Sequence, residues 1–267
     1  MSVIKLSDKN QLIKLDEQVS SWMKRLAQQT KEERQRQAPD VSYKNGDRRN
    51  LVTDLDRANQ RVLIEKVQSL DPEARFVCEE AGERRATTMA GQVWFIDPID
   101  GTLNFVLEDR DYAIMMALYQ DGEPVLGWIC DVPAGRLFHG GKQTGVYMDS
   151  QELPVVKNQS LRDAVVIVSG RRLVVGEKPY GEMALQARAV RVIGSAGISF
   201  TRLFTGSAQA YLSKLSPWDL AAGRALAEGL GYQVKNLDGS LPNMLLSNSV
   251  LIATNEIHRE ISKMAKD

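Results

Sequence analysis

The chain has 267 residues, 43% apolar and 25% charged, and its 34 basic and 34 acidic side chains cancel to zero net charge. That length and apolar content suffice for a sizeable core, which excludes wholesale disorder, and the neutral balance argues against a grip on nucleic acid by bulk electrostatics. With only His139 and His258, and with Cys78 and Cys130 far apart, no local Cys/His zinc cluster can be assembled, and a Ser-His-Asp or Cys-His hydrolase would lack a recognisable nucleophile motif.

In chain order, Met1–Leu6 lacks the apolar core of a secretory leader, and no apolar run approaches the ~20 residues of a membrane span. With two separated cysteines this predicts a cytoplasmic protein without disulfides. Residues 7–37 read as a long amphipathic helix. Ile13, Leu15, Val19, Trp22, Met23 and Leu26 recur at helical spacing, Ser7 could cap it, and Pro39 ends it. The basic stretch 31–49 reads as a solvated helix end and an exposed loop around Gly46. A second helix is predicted over 54–69, with Leu55, Ala58, Val62, Leu63 and Val67 on its apolar side.

Short apolar strands follow at 76–78 and 93–96, the first stopping at Glu79-Glu80 and the second at Asp97. Asp121-Gly122 between two apolar runs (112–119 and 124–132) signals a hairpin, and 136–139 extends it into an antiparallel meander. Further on, a strand is expected at 165–168, then a basic connection at 170–178. Helices are expected at 181–189 and 196–205, a short strand at 210–212, and a helix at 219–230 with Asp219 as a good N-cap. A strand at 250–253 and a C-terminal helix from Asn255 complete the chain. The elements are mixed α/β without strict alternation. A mild seam near 150–163 could divide the chain into lobes, 1–155 and 156–267.

The richest segment is Trp94-Phe95-Ile96-Asp97-Pro98-Ile99-Asp100-Gly101-Thr102. An apolar strand delivers Asp97, proline is expected to block its continuation, and the turn can aim Asp97 and Asp100 at one point. Gly101-Thr102 could open a helix whose free N–H groups face that point and seat a phosphate. Carboxylates and a phosphate together repel unless cations intervene. Mg2+ fits, because it takes oxygen ligands and completes its shell with substrate phosphate oxygens. The two aspartates are separated by two residues, where a phospho-aspartate nucleophile would have one. The spacing therefore points to cation ligation and attack by water. Turn formation alone would also account for Asp-Pro and Asp-Gly, a solvated edge for Glu79-Glu80, helix-start charges for Asp54 and Asp56, and packing for Trp218 and Cys78.

Together these residues resemble the inositol monophosphatase family, within the Mg2+-dependent, Li+-sensitive phosphatases. The carriers are Leu51-Val52-Thr53-Asp54-Leu55-Asp56, Glu79-Glu80, Asp97 to Thr102, Gly194-Ser195-Ala196, and Pro217-Trp218-Asp219-Leu220-Ala221-Ala222-Gly223. The resemblance spans nearly the whole chain as a single domain. It implies a layered αβαβα sandwich, usually as a homodimer, with the metal side in the first lobe and the substrate side in the second. It also implies hydrolysis of a small phosphorylated metabolite with two or three Mg2+ ions. Glu79, Asp97 and the Ile99 carbonyl would bind a first ion, and Asp97, Asp100 and Asp219 a second. Glu79 and Thr102 would orient or deprotonate water, with Asp56 hydrogen-bonded to the Thr102 hydroxyl. Gly101 and Thr102 would hold phosphate, with Gly194, Ser195, Ala196, Asp100 and Asp219 on the substrate side. A cation brings the pKa of water near ~7, so no histidine base is needed. The loop after the first helix would close over the metals.

The pattern departs from the inositol-specific members at one place. Seven residues before Asp219, where they carry a sugar-contacting glutamate, stands Leu212. Arg171, Arg172 and Lys214 could instead answer a second phosphate. Inositol monophosphate, fructose-1,6-bisphosphate and NADP all stay open as substrate types. So do an adenosine-bisphosphate phosphatase and a transcription or RNA-processing binding partner with dispensable catalysis.

Overall fold

The computed structural model describes residues 6, 8–43, 46, 51–80 and 85–264. Helix α1 (Lys9–Arg36) begins at Asp8, whose carboxylate accepts from the Asn10 amide at 2.9 Å; Ser7, the expected cap, lies outside the described residues. Leu12, Leu15, Val19, Trp22, Met23 and Leu26 form its buried stripe, while Ile13 falls off it and is exposed. The end of α1 is less solvated than its charge suggests. Lys31 donates to the Pro133 carbonyl at 2.8 Å, and Arg34 to the carbonyls of Phe105 and Val106, each at 3.2 Å.

Strands β1 (Val41–Tyr43) and β2 (Leu51–Thr53) pair antiparallel across the segment expected as open loop. Of the loop expected to close over the metals, residues 44–45 and 47–50 lie outside those described. Helix α2 (Asp54–Leu70) starts with a capping box between Thr53 and Asp56. Its buried face corrects the sequence reading: Asp56, Asn59, Gln60, Leu63 and Val67 point inward, whereas Val62 and Ala58 are exposed. The polar members face the acidic site described below, which periodicity of apolar residues cannot show.

The next strands are β3 (Arg75–Cys78), β4 (Gln92–Asp100), β5 (Ala113–Gln120), β6 (Glu123–Asp131), β7 (Arg136–Gly141), β8 (Gly145–Met148) and β9 (Gln151–Glu152). They form one seven-stranded sheet in chain order, parallel at β3–β4 and antiparallel elsewhere. Asp121 (φ 52°) and Gly122 (φ 85°) make the β5–β6 turn, both left-handed as a tight hairpin requires. Strand β4 does not end at Pro98. It continues to Asp100 across a register shift between Asp97 and Asp100, where a residue without an N–H is tolerated. Helix α3 (Thr102–Glu108) follows directly.

The second sheet has order β11-β10-β12-β14-β13, from β10 (Val165–Val168), β11 (Ala189–Arg191), β12 (Ala210–Leu215), β13 (Gln233–Asn236) and β14 (Asn248–Ala253). The basic connection after β10 contains a short helix, α4 (Gly170–Val174). The helix expected over 181–189 divides into α5 (Tyr180–Gln186) and the edge strand β11. Helices α6 (Ala196–Phe204), α7 (Pro217–Gly229) and α8 (Asn255–Met264) complete the fold. Helix α7 starts two residues before Asp219. Pro217 occupies its first turn, Ser216 is the cap, and Asp219 is the reciprocal partner of the capping box.

Three apolar clusters separate five layers. One joins α1 and α2 to the first sheet. A second fills the space between the two sheets around α6 and α7, and a third packs α5 and α8 on the far face of the second sheet. This is the αβαβα sandwich. The middle layer is tight: a Cβ on Gly223 of α7 would meet the Phe200 ring of α6 at 2.1 Å, and one on Gly127 of β6 would meet the Ala222 carbonyl at 2.6 Å. Among the described residues no helix is long and apolar enough to cross a membrane.

One polar cluster ties α1 to the first sheet. Buried Asp16 accepts from Trp128 Nε1 at 2.7 Å and pairs with His139 Nδ1 at 2.8 Å, while His139 Nε2 sits 2.9 Å from the Asp149 carbonyl. Burial works against the charged imidazole, but the hydrogen bond and charge of Asp16 outweigh it and raise the His139 pKa above its ordinary value. A histidine raised on folding adds stability below its unfolded pKa of about 6.5 and loses it as pH climbs through the folded value. Thermal stability is therefore expected to fall as pH rises through that window, and His139→Gln should flatten the dependence in a pH series of melting curves. Asp16→Ala, which strips both Trp128 and His139 of their acceptor, should cost about 3 kcal/mol in a denaturant titration.

Candidate active site

Acids from four separate segments converge where the first sheet meets the middle layer. Strand β4 carries Asp97 and Asp100, the chain leaving β3 carries Glu79 and Glu80, α2 carries Asp56, and the first turn of α7 carries Asp219. Carboxylate oxygens of Asp97, Asp100 and Asp219 lie within 4.8 Å of one another, as do those of Asp56, Glu79 and Glu80. Glu80 belongs to the second group, a placement that its motif alone does not give. The bulge in β4 brings Asp97 and Asp100 to the same side although they are three residues apart.

The electrostatics of these acids could suit a cation. Asp97 is 1% exposed, and its Oδ1 is buried without a hydrogen-bond partner. Burial, then the charges of Glu79, Asp100 and Asp219, push its pKa well above the carboxylate range. Burial also raises Asp100, but the Ser195 hydroxyl and the amides of Gly197 and Ala196 pull it partway back. An all-oxygen donor set with an orphaned buried carboxylate oxygen fits a hard divalent ion.

Around the acids the backbone is closely set. Gly101 adopts φ 83°, and a Cβ there would lie 2.9 Å from the Ser195 Cβ and 3.1 Å from the Asp111 carbonyl. Gly194, also at φ 83°, abuts the Asn104 side chain, whose Nδ2 donates to the carbonyls of Asp111 (2.9 Å) and Ile193 (3.0 Å). Asn104 thus fastens the turn before α6 to α3. The Thr102 hydroxyl has two acceptors in reach, the Ile99 carbonyl at 3.0 Å and Asp56 Oδ1 at 3.4 Å. The Ile99 side chain itself is in the core. Ser195 caps α6 and its hydroxyl donates to Asp100, while the amides of Ala196 (3.0 Å) and Gly197 (2.7 Å) donate to the same carboxylate. In this structure the Gly194-Ser195-Ala196 turn therefore serves Asp100 directly.

A cavity of about 250 Å³ opens beside Asp100 and Asp219, lined also by Gly194, Ser195, Ala196, Tyr211, Ser213 and Lys214. Leu212 does not line it. Its side chain is fully buried in the cluster on the far face of the second sheet. Alternation along β12 puts Ser213 on the cavity side, so counting back from Asp219 lands on the wrong face. Arg172 pairs with Glu177 on α4 and its flank, leaving Lys214 as the cation of the expected trio that lines the cavity. Trp218 packs against the middle core. Cys78 and Cys130 are free thiols whose pKa burial pushes up to about 12. His258 rests on the Gln233 carbonyl at 3.1 Å.

Comparison with known proteins establishes the family and the fold. The Inositol monophosphatase family matches residues 8–266. An inositol-1-monophosphatase of Bacillus subtilis is 30% identical over 217 residues, covering 79% of this chain and 82% of that protein. Among solved structures, a lithium-soaked inhibitory complex of staphylococcal inositol monophosphatase-1 has the same fold. Its TM-score is 0.85 at 24% identity, over 95% of this chain and 94% of that one. SaIMPase-II with bound 2'AMP superposes with a TM-score of 0.82 at 28% identity, over 94% and 93% of the two chains. The chain belongs to the inositol monophosphatase family of phosphoric monoester hydrolases.

Proposed function

We propose that this protein is a Mg2+-dependent phosphomonoesterase that hydrolyses a small phosphate ester of the inositol monophosphate, fructose-1,6-bisphosphate or NADP type by direct attack of water. The carrying observation is the burial of Asp97 among Glu79, Asp100 and Asp219 with Oδ1 lacking any donor, an arrangement that repels itself until cations enter. In this reading Asp97, Asp100 and Asp219 hold one ion, and Glu79, Asp97 and the Ile99 carbonyl another. The bound cations supply charge neutralisation of the phosphate and a lowered pKa for the attacking water.

The chain's own groups do the rest. Glu79 accepts a proton from the water, and the Thr102 hydroxyl orients it while its own proton is held toward Asp56 or the Ile99 carbonyl. The amides of Gly101 and Thr102 hold the phosphate. The water oxygen bonds to phosphorus as the ester P–O bond breaks, the leaving oxygen takes a proton from a solvent water, and the resulting alcohol departs past Asp219 into the cavity lined by Ser213 and Lys214, while Glu79 returns its proton to solvent. No histidine takes part: His139 and His258 are both engaged in structural contacts. The same reading carries a cytoplasmic location, supported by two free thiols, and a homodimer, which sedimentation of the purified chain would measure.

Asp97→Asn should lower kcat by more than ~100-fold, beyond the cost of losing an outer-shell partner. Because it relieves buried like-charge repulsion, the same variant should melt higher than the wild type without metal and gain less on adding Mg2+. Substantial turnover by Asp97→Asn at saturating Mg2+ would refute the assignment. Lys214→Ala should raise KM for a bisphosphate more than for a monophosphate, read from a panel of inositol 1-phosphate, fructose 1,6-bisphosphate, 2'AMP and NADP.

A further inference from the structure

The buried side of α2 is polar, and its members each reach a different acid-bearing segment. Asp56 approaches the Thr102 hydroxyl, and Asn59 Nδ2 lies 3.4 Å from the Pro98 carbonyl. Gln60 makes the fullest contact. Its Nε2 donates to the Glu80 carbonyl at 3.1 Å, and its Oε1 accepts from the Glu80 N–H at 3.0 Å. A carboxamide that meets both backbone groups of one residue takes the place of a neighbouring strand. It does so where the sheet has stopped. Strand β3 ends at Cys78, and the Glu79 N–H still reaches the Ile96 carbonyl on β4 at 3.2 Å, but Glu80 has moved beyond the ladder. Gln60 is only 4% exposed, so its two contacts are sheltered from water. It also stands one helical turn from Asp56, so one face of α2 holds both sides of the Asp56, Glu79 and Glu80 group.

We propose that Gln60 is a positioning residue: it fixes the backbone of the Glu79–Glu80 arm and thereby sets the affinity for the cation assigned above to Glu79, Asp97 and the Ile99 carbonyl, without itself touching the ion. This rests on the cation-binding reading of the site given above. Substitution by methionine keeps the length of the side chain and removes both hydrogen bonds. The arm then loses its anchor, while the Asp97, Asp100 and Asp219 group, held by β4 and α7, keeps its geometry.

The test is calorimetric titration of Mn2+ into the full-length wild type, Gln60→Met and Asp100→Asn, each checked for folding by its metal-free melting curve. Gln60→Met should raise the dissociation constant of one class of site by about tenfold or more and leave unchanged the class that Asp100→Asn weakens, since Asp100 is assigned to the other ion alone. A folded Gln60→Met that binds Mn2+ like the wild type, or that loses both classes equally, overturns the proposal. Failure of the wild type itself to bind Mn2+ overturns the cation reading instead. Amide hydrogen exchange on the metal-free wild type needs no variant: the Glu80 amide should already be protected before Mn2+ is added. Fast exchange there, slowed only by Mn2+, would mean that the ion and not Gln60 orders the arm.

Discussion

Like charges buried together are the constraint from which the rest of this structure follows. Asp97, Asp100, Glu79 and Asp219 would not collect by their own attraction, since the other three raise the energy of ionising buried Asp97. Something rigid must hold them. Here it is the apolar body of the sandwich: β4 runs between two cores, with Val93 and Phe95 in one and Trp94 and Ile96 in the other, all at or near zero exposure, and delivers the acids at its end. The fold bears the electrostatic strain that the proposed cation binding would relieve.

The middle layer joins the two halves of the site. Helix α7 contacts both sheets and brings Asp219 to strand β4, while α6 directs its N-terminal amides onto Asp100. Glycines at 127 and 223 allow these helices to approach the sheet and each other closely enough to do so. The lobes suggested by the chain's mild seam thus share one core at the place where the chemistry is proposed, and residues from both face the same cavity.

Polar burial serves the same end on the opposite side of the first sheet. Asp56, Asn59 and Gln60 sit where an amphipathic helix would ordinarily place leucines, and each hydrogen-bonds to a neighbouring segment. Their burial is stable because their polar groups are matched by backbone or hydroxyl partners. Farther along that layer, Asp16 joins Trp128 and His139 by the same rule.

The amino-acid sequence by itself determined the acids and their order, the hairpin at Asp121-Gly122, the long first helix, and the family through its motifs, because spacing and turn chemistry are local properties. It could not determine which face of a strand or helix meets which neighbour. Leu212, a substrate-side position by its spacing from Asp219, lies in the far core. Val62 fits an apolar helix face and is exposed, Pro98 has the chemistry of a strand stop and sits within a bulge, and Asp219 is the partner of the Ser216 cap rather than the cap itself. The polar strand Gln233–Asn236 carries no apolar run and becomes a strand only because β14 offers it a ladder. Each of these was decided by tertiary packing, since a one-residue offset in a strand, or a 100° turn of a helix, reverses what a side chain sees.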